Sequence, residues 1–282
     1  MNILTFDVEN WFESSLEIFP ERYRACTKWA DYYDSFLEAN TEELLDILKK
    51  HSTKATFFVL GSVAIKHPQL VRRIAADGHE IAAHGMGHVC VYKQKPDDFK
   101  KSVLESIGLL ESVTGSKVLG FRAPYFSVTR ETMWVLDFLK DCGLRYDSSI
   151  FPFKRGKLYG INDAVRFPYK VKESFWEFPL TTIRICNKNI PIGGGYCRIL
   201  PFWLVKKGIK EMNKQSKPAV FYLHPYEINP RELNCSFSGE GIDFKLIKYS
   251  QNIGRRDIRN KLNALLEEFS FTCIRGYFYH EK

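Results

Sequence analysis

Short apolar runs alternate with amphipathic stretches along most of this chain. Asn2-Ile3-Leu4-Thr5-Phe6 reads as a fully buried strand, as does Ala55-Thr56-Phe57-Phe58-Val59-Leu60, which Gly61 stops. Residues 79–83, 118–121 and 219–223 predict three more strands, and 176–182 and 271–274 two further ones. Helical patterns lie between them. Asn40 with Glu43 has the form of a capping box, opening a helix whose apolar face is Leu44, Leu45, Ile47 and Leu48. His67-Pro68 opens another, bearing Leu70, Val71, Ile74 and Ala75, and Gly78 stands where a C-cap glycine belongs. Helices are also predicted over 97–113, 130–142 and 255–268, and one with Pro201 in its first turn. Two stretches break the alternation. Residues 10–39 are aromatic and irregular and read as an insertion of helical pieces over a cleft; 228–254 read as a long rim loop. Strands alternating with helices, with no linker, predict one α/β domain over residues 1–282.

Composition narrows the class. With 45% hydrophobic and 26% charged residues, the chain can bury a core of ordinary size. No apolar run approaches the ~18 residues of a membrane span, and no basic, apolar leader opens the sequence. Seven cysteines are dispersed with no C-x-x-C pair, which argues against a thiolate zinc site and for reduced thiols. The expectation is a cytoplasmic protein, with a membrane-peripheral location as the alternative. The formal charge of +8 comes from scattered Lys and Arg, the form of solvated helix faces. It also suits an anionic partner: an acidic glycan, a lipid phosphate or a membrane surface. Nucleic acid is not expected, because the basic residues form no long block and no nucleic-acid-binding signature occurs.

Four polar clusters each follow a strand run: Asp7-Val8-Glu9, His84-Gly85-Met86-Gly87-His88, Arg122-Ala123-Pro124-Tyr125 and His224-Pro225-Tyr226. In an α/β barrel the strand C-termini gather on one rim, where catalytic residues sit. Residues two apart on a strand share a face, so Asp7 and Glu9 point together while Val8 enters the wall. Such a carboxylate pair repels and calls for a cation or a shared proton. Two imidazoles plus one carboxylate leave coordination positions open, as in catalytic zinc sites. The H-E-x-x-H helix is absent, and His79 reads as structural. Arg122, stiffened by Pro124, offers a fixed guanidinium that would hold Asp7 ionised. His224 suits a general acid. Each cluster also has a bland reading: an acidic surface turn, two loop histidines, a surface ion pair, a satisfied core histidine. The glycines at 193–195 either admit close approach of a ligand or form a flexible turn. Neither a phosphate-binding loop nor G-x-S-x-G occurs.

In their order these motifs resemble the polysaccharide deacetylases of carbohydrate esterase family 4, with their nodulation-deacetylase homology domain. Within that family the resemblance points to a branch linked to bacterial exopolysaccharide gene clusters. It runs through Thr5-Phe6-Asp7-Val8-Glu9-Asn10-Trp11-Phe12, Ala55-Thr56-Phe57-Phe58-Val59-Leu60-Gly61, and Gly78-His79-Glu80-Ile81-Ala82-Ala83-His84 with His88. It continues in Phe121-Arg122-Ala123-Pro124-Tyr125-Phe126-Ser127, Tyr146-Asp147-Ser148-Ser149-Ile150-Phe151-Pro152, Gly193-Gly194-Gly195-Tyr196 and Phe221-Tyr222-Leu223-His224-Pro225. The resemblance implies a distorted (β/α)7-type barrel that removes acetyl from an N-acetylhexosamine with a divalent metal, zinc by default. It matches Asp7 to the catalytic base, Arg122 to the residue that braces it, and His84 and His88 to metal ligands. Tyr125 matches the position whose backbone N–H binds the oxyanion, Leu223 the wall of the acetyl pocket, and His224 the general acid. Trp176 matches an aromatic groove residue, and Gly194, Gly195 and Tyr196 a substrate-binding loop. Two departures stand out. Asp7-Val8-Glu9 replaces the usual adjacent Asp-Asp, which makes Glu9 the third ligand with Asn10 as substitute. Gly85 stands where many members have Ser or Thr. Three rival readings are a metal-free hydrolase of another C–N bond, a non-catalytic glycan-binding module, and a non-haem iron oxygenase. The last leaves Arg122 and His224 without a job.

Overall fold

The computed structural model describes residues 1–153 and 159–280. The strands are β1 (Asn2–Val8), β2 (Thr56–Val59), β3 (Glu80–Ala83), β4 (Gly120–Phe121), β5 (Tyr146–Asp147), β6 (Tyr169–Lys172), β7 (Phe175–Glu177), β8 (Thr182–Ile185), β9 (Lys188–Pro191), β10 (Val220–Leu223) and β11 (Phe271–Thr272). The main sheet has the order β10-β1-β2-β3-β4-β5-β7-β6, with β11 beside the start of β1. From β10 to β7 all neighbours are parallel; β6 alone is antiparallel. The two ends of this parallel run meet through Thr181, whose N–H donates to the Val220 carbonyl (3.0 Å) and whose Oγ1 accepts from the Val220 N–H (2.8 Å). The result is a distorted (β/α)7-type barrel. The hairpin β8–β9 lies apart.

Strand β1 explains how the barrel divides its side chains. All seven residues are buried. Leu4, Phe6 and Val8 join the large core under the helices, with Leu44, Leu48, Phe57 and Val71. Ile3 faces the interior with Phe58, Tyr146, Phe178 and Tyr222. Side chains alternate along a strand, so Thr5 and Asp7 continue that inner face.

A second, smaller core roofs the rim. The short helices Trp11–Ser14, Glu21–Arg24 and Thr27–Asp34 carry Trp11, Phe12, Tyr23, Trp29 and Tyr33 into it, and Phe19 joins from the turn between the first two. Tyr226, Leu233 and Phe244 complete it from the far end of the sequence. The helical insertion expected over 10–39 is thus present, tied down where His67 meets Asp34 (3.1 Å) and Glu38 (2.9 Å).

Three sequence expectations change. The helix expected to begin at Asn40 spans Leu37–Lys50, so Asn40 is not a cap. Its buried amide instead donates to Glu232 (2.9 Å) and accepts from Asn229 (2.9 Å). The run 176–182 is not one strand: β7 ends at Glu177 and β8 begins at Thr182 in the other sheet. Phe178 and Leu180 are apolar because they fill the interior, not because they pair in one ladder. The stretch 228–254 is not a plain loop; it holds a 3₁₀ turn at Glu232–Asn234 and the helix Ile242–Asn252. That helix is apolar on two sides, which erases the periodic signal.

Candidate active site

The site grows from the inner face of β1. Asp7 is its last inward residue, and Glu9 follows one step beyond the strand. Arg122, one residue past β4, reaches across with no exposed surface. Its Nη1 donates to Asp7 Oδ1 (2.6 Å) and Thr5 Oγ1 (3.0 Å), its Nη2 to Ser148 Oγ (2.8 Å), and its Nε to the Ser148 carbonyl (3.1 Å). The guanidinium carbon lies 4.0 Å from the Phe58 ring centroid. A buried cation with this many fixed partners holds the carboxylate in one orientation.

His84 follows β3 directly. Its Nδ1–H donates to the Arg122 carbonyl (2.7 Å), which leaves the lone pair on Nε2. Four residues on, the turn brings His88 round to the same point. Gly85 makes that turn at φ +84°, a backbone setting that disfavours Ser or Thr. Within the turn the Met86 N–H donates to Ser102 Oγ (3.1 Å). His88 Nε2 lies 2.7 Å from Glu9 Oε2, and His84 Nε2 3.9 Å from the same oxygen.

Glu9, His84 and His88 each offer a ligand atom, all within 4.8 Å of one another, and all three residues are buried. His84 Nε2 has no hydrogen-bond partner among the described residues. Buried polar atoms without partners are costly, and one carboxylate oxygen with two imidazole nitrogens is a donor set for a divalent cation. The residues present therefore fit a metal. Asn10 does not compete as a ligand, because its side chain accepts from the Glu13 N–H (2.9 Å) and caps the helix Trp11–Ser14.

His224 closes the ring from β10. Its Nε2 is 3.3 Å from Glu9 Oε1 and 4.0 Å from Asp7 Oδ2. Its Nδ1 faces Glu227 Oε2 at 3.2 Å, and the Tyr226 ring stacks on it at 4.7 Å. Glu227 in turn pairs with Arg198 Nε (3.2 Å). Burial works against a charged imidazole, yet Glu227 and Glu9 outweigh it and push the His224 pKa up to about 10. Burial likewise opposes ionisation of Glu9, but His88 and His224 hold its carboxyl well below the usual range. Sequence reasoning missed Glu227 and Arg198. Glu227 had a signal: an acid three residues after His224, with Pro225 at the first helical position, is placed to reach back to the chain before the turn.

A cleft of about 550 Å³ opens over this ring. Asp7, Glu9, His88, Tyr125 and His224 line its floor with Tyr222, and Ser14, Ser15, Tyr159, Gly195, Tyr196 and Arg198 are among its walls. Tyr125 sits at φ 56°, and its ring lies 4.1 Å from that of His88.

Residues 24–146 match the family described as polysaccharide deacetylase, and residues 148–279 match a domain of unknown function. Over residues 24–146 the chain is similar to the polysaccharide deacetylase family. A peptidoglycan-N-acetylglucosamine deacetylase of Bacillus cereus is 38% identical over 85 residues, which are 30% of this chain and 31% of that protein. A chitooligosaccharide deacetylase of Sinorhizobium fredii is 41% identical over 86 residues, 30% of this chain and 40% of that protein. The chain thus matches less than half the length of either relative. In fold it is similar to a protein of Mycobacterium smegmatis classed with polysaccharide deacetylases (TM-score 0.62, 20% identity, covering 99% of this chain and 88% of that one). It is equally similar to an allantoinase (TM-score 0.62, 16% identity, covering 94% and 82%).

Two residues that the deacetylase resemblance brought to the site lie elsewhere. Leu223 faces outward into the helix-side core, beside Phe6 in register; the β10 residue that reaches the cleft is Tyr222. The alternation of β10 dictates this, since 222 and 224 share a face. Trp176 packs on Phe178, Tyr277 and Phe278 and is not among the residues lining the cleft. Tyr277 and Phe278 belong to the helix Ile274–His280, which follows β11 and its pairing with the start of β1, the end opposite the rim. Of the glycine loop, Gly195 and Tyr196 line the cleft, while Gly194 is not among the lining residues. Gly194 (φ +52°) is pressed on the Tyr222 ring so closely that a Cβ there would collide with it, and its N–H donates to the Tyr222 carbonyl (2.8 Å).

Proposed function

We propose that this chain is a metal-dependent N-deacetylase. It takes acetyl from an N-acetylhexosamine of a bacterial surface polysaccharide or its lipid-linked precursor. The observation that carries the reading is the ring itself: a braced carboxylate, a cationic imidazole and a three-donor metal set around one cleft. Residues 1–282 act as one catalytic unit, since the end of β1 supplies Asp7 and Glu9, the turn after β3 His88, and the end of β10 His224 to the same cleft.

Glu9, His84 and His88 hold the ion, with zinc as the default. A bound divalent cation supplies Lewis acidity and lowers the pKa of water toward about 7. Asp7 takes the proton of the attacking water through Oδ2, because Oδ1 is engaged by Arg122. The Tyr125 backbone N–H donates to the oxyanion; loss of one such donor typically costs about 10²–10³ in rate. His224 gives its proton to the departing nitrogen as the C–N bond breaks. A C–O bond has formed, and the products are acetate and a free amino sugar.

The test is acetate release from N-acetylglucosamine oligosaccharides by wild type, Asp7→Asn and His224→Ala, with bound metal measured in each. The expected result is turnover by wild type and a loss of about 10²–10⁴ in each variant with the metal retained. Variants that keep full turnover would remove Asp7 and His224 from these roles.

A further inference from the structure

The helix Ile242–Asn252 has two apolar sides. Phe244 is fully buried in the roof, and Lys248 is buried against Glu240 at 2.6 Å. On the opposite side Ile242, Leu246, Tyr249 and Ile253 recur at spacings of four, three and four, which is one stripe on a helix. Ile199 and Trp203 extend the apolar surface. These six side chains are 46% to 73% exposed. Segment 197–200 is fastened to the end of the helix. Arg198 donates to the backbone and side chain of Gln251, and Lys261 Nζ donates to the carbonyls of Cys197 (2.7 Å) and Arg198 (3.2 Å). Even Gly254 abuts the Arg198 carbonyl, where a Cβ would collide. The patch reaches the cleft mouth, since Ile199, Ser250 and Gln251 all line the cleft.

Apolar groups gathered in this way mark a surface that meets something. Its composition says what. Trp203 and Tyr249 carry polar tips on apolar rings, the side chains that favour the headgroup level of a bilayer, beside aliphatic Ile and Leu. Exposed Lys245 and Arg256 flank the stripe, Lys207 follows Trp203 by one helical turn, and the chain carries +8. A second copy docking through the same face would bring these cations against themselves. No helix among the described residues is long and apolar enough to cross a membrane, so contact would be in the plane of the surface.

We propose that this face docks on an anionic lipid bilayer and seats the cleft mouth at the headgroups. The proposal deepens the deacetylase reading, and rests on it only for the cargo: a sugar presented on a lipid carrier. The test is flotation of the full chain with phosphatidylcholine vesicles, with or without roughly one-third phosphatidylglycerol. Wild type should float with the anionic vesicles and much less with the neutral ones. The double variant Leu246→Ser, Tyr249→Ser should lose about tenfold or more of that binding. Its circular dichroism and its acetate release from a soluble oligosaccharide should not change. Three results would overturn the proposal: no flotation of wild type, equal flotation of the double variant, or a wild-type dimer in light scattering that the double variant dissolves. Flotation needs no catalysis. Flotation without acetate release would therefore sink the deacetylase reading and keep the docking, and acetate release without flotation would do the reverse.

Discussion

The barrel interior and the roof above it are both filled with rings, yet they hold the cleft by different means. Inside the barrel, Phe58, Tyr146, Phe178 and Tyr222 surround charged groups that are tied by directed bonds: Arg122 to Asp7, Thr5 and Ser148, and Glu80 to Thr56 and Tyr146. The roof is nearly all contact area. Phe244 touches four other rings, Trp11, Phe19, Tyr23 and Trp29, at 4.5 to 6.0 Å between centroids. Directed bonds fix atoms to tenths of an ångström; ring packing fixes volume and shape. On the proposed deacetylase reading, the chemistry would belong to the barrel and the confinement of substrate to the roof.

The sharpest way to break this contrast is Phe244→Ala. It should cost about 3–5 kcal/mol, read in urea unfolding, and raise KM more than it lowers kcat. A fall in kcat alone would place chemistry in the roof. Next comes acid. His79, in the barrel wall, accepts the Ala55 N–H at Nδ1 (3.2 Å); burial, with Lys54 adding, pushes its pKa down to about 4 from the ordinary 6.5. The folded state resists a proton that the unfolded chain accepts. Stability is thus whole above about pH 6.5 and falls as pH drops toward 4, by on the order of 3 kcal/mol. Urea unfolding at several pH values should lose much of this slope in His79→Gln.

A smaller effect is expected at Glu227, where roof and barrel meet. Glu227→Gln should lower kcat by about 10–100-fold with KM little changed. Activity that needs protonated His224 is present below its pKa and lost as pH rises through it. Removing one anion lowers that pKa, so the alkaline limb of kcat should move to lower pH, and Glu227→Asp should restore part of it. Smallest of all is Trp176→Phe. At the far end of the barrel it should leave kcat/KM within about twofold, the ordinary limit for distant sites. A large rise in KM would return Trp176 to the substrate groove.

Much of the barrel was legible because its strands are buried on both faces. The runs at 2–6, 55–60 and 219–223 all fall on observed strands. The four polar clusters were legible because each interrupts an apolar run at a strand end. Direction was the weak point. The resemblance names Leu223 against the alternation of β10, which puts Tyr222 on the face of His224, and the register with Phe6 agrees with the alternation. Trp176 failed along the other axis, since composition does not tell top from bottom. The roof was the least legible, because Phe244 and the helix that bears it owe their place to partners more than two hundred residues away.

The grip of Arg122 has a directional consequence. It claims Oδ1 of Asp7 and leaves Oδ2 toward His224. The carboxylate is thereby single-sided. On the proposed reading, an arriving water would meet the one unclaimed oxygen, from the flank that the imidazole shares. Substrate orientation is in this sense decided beneath the floor of the cleft, by a side chain no sugar ever touches.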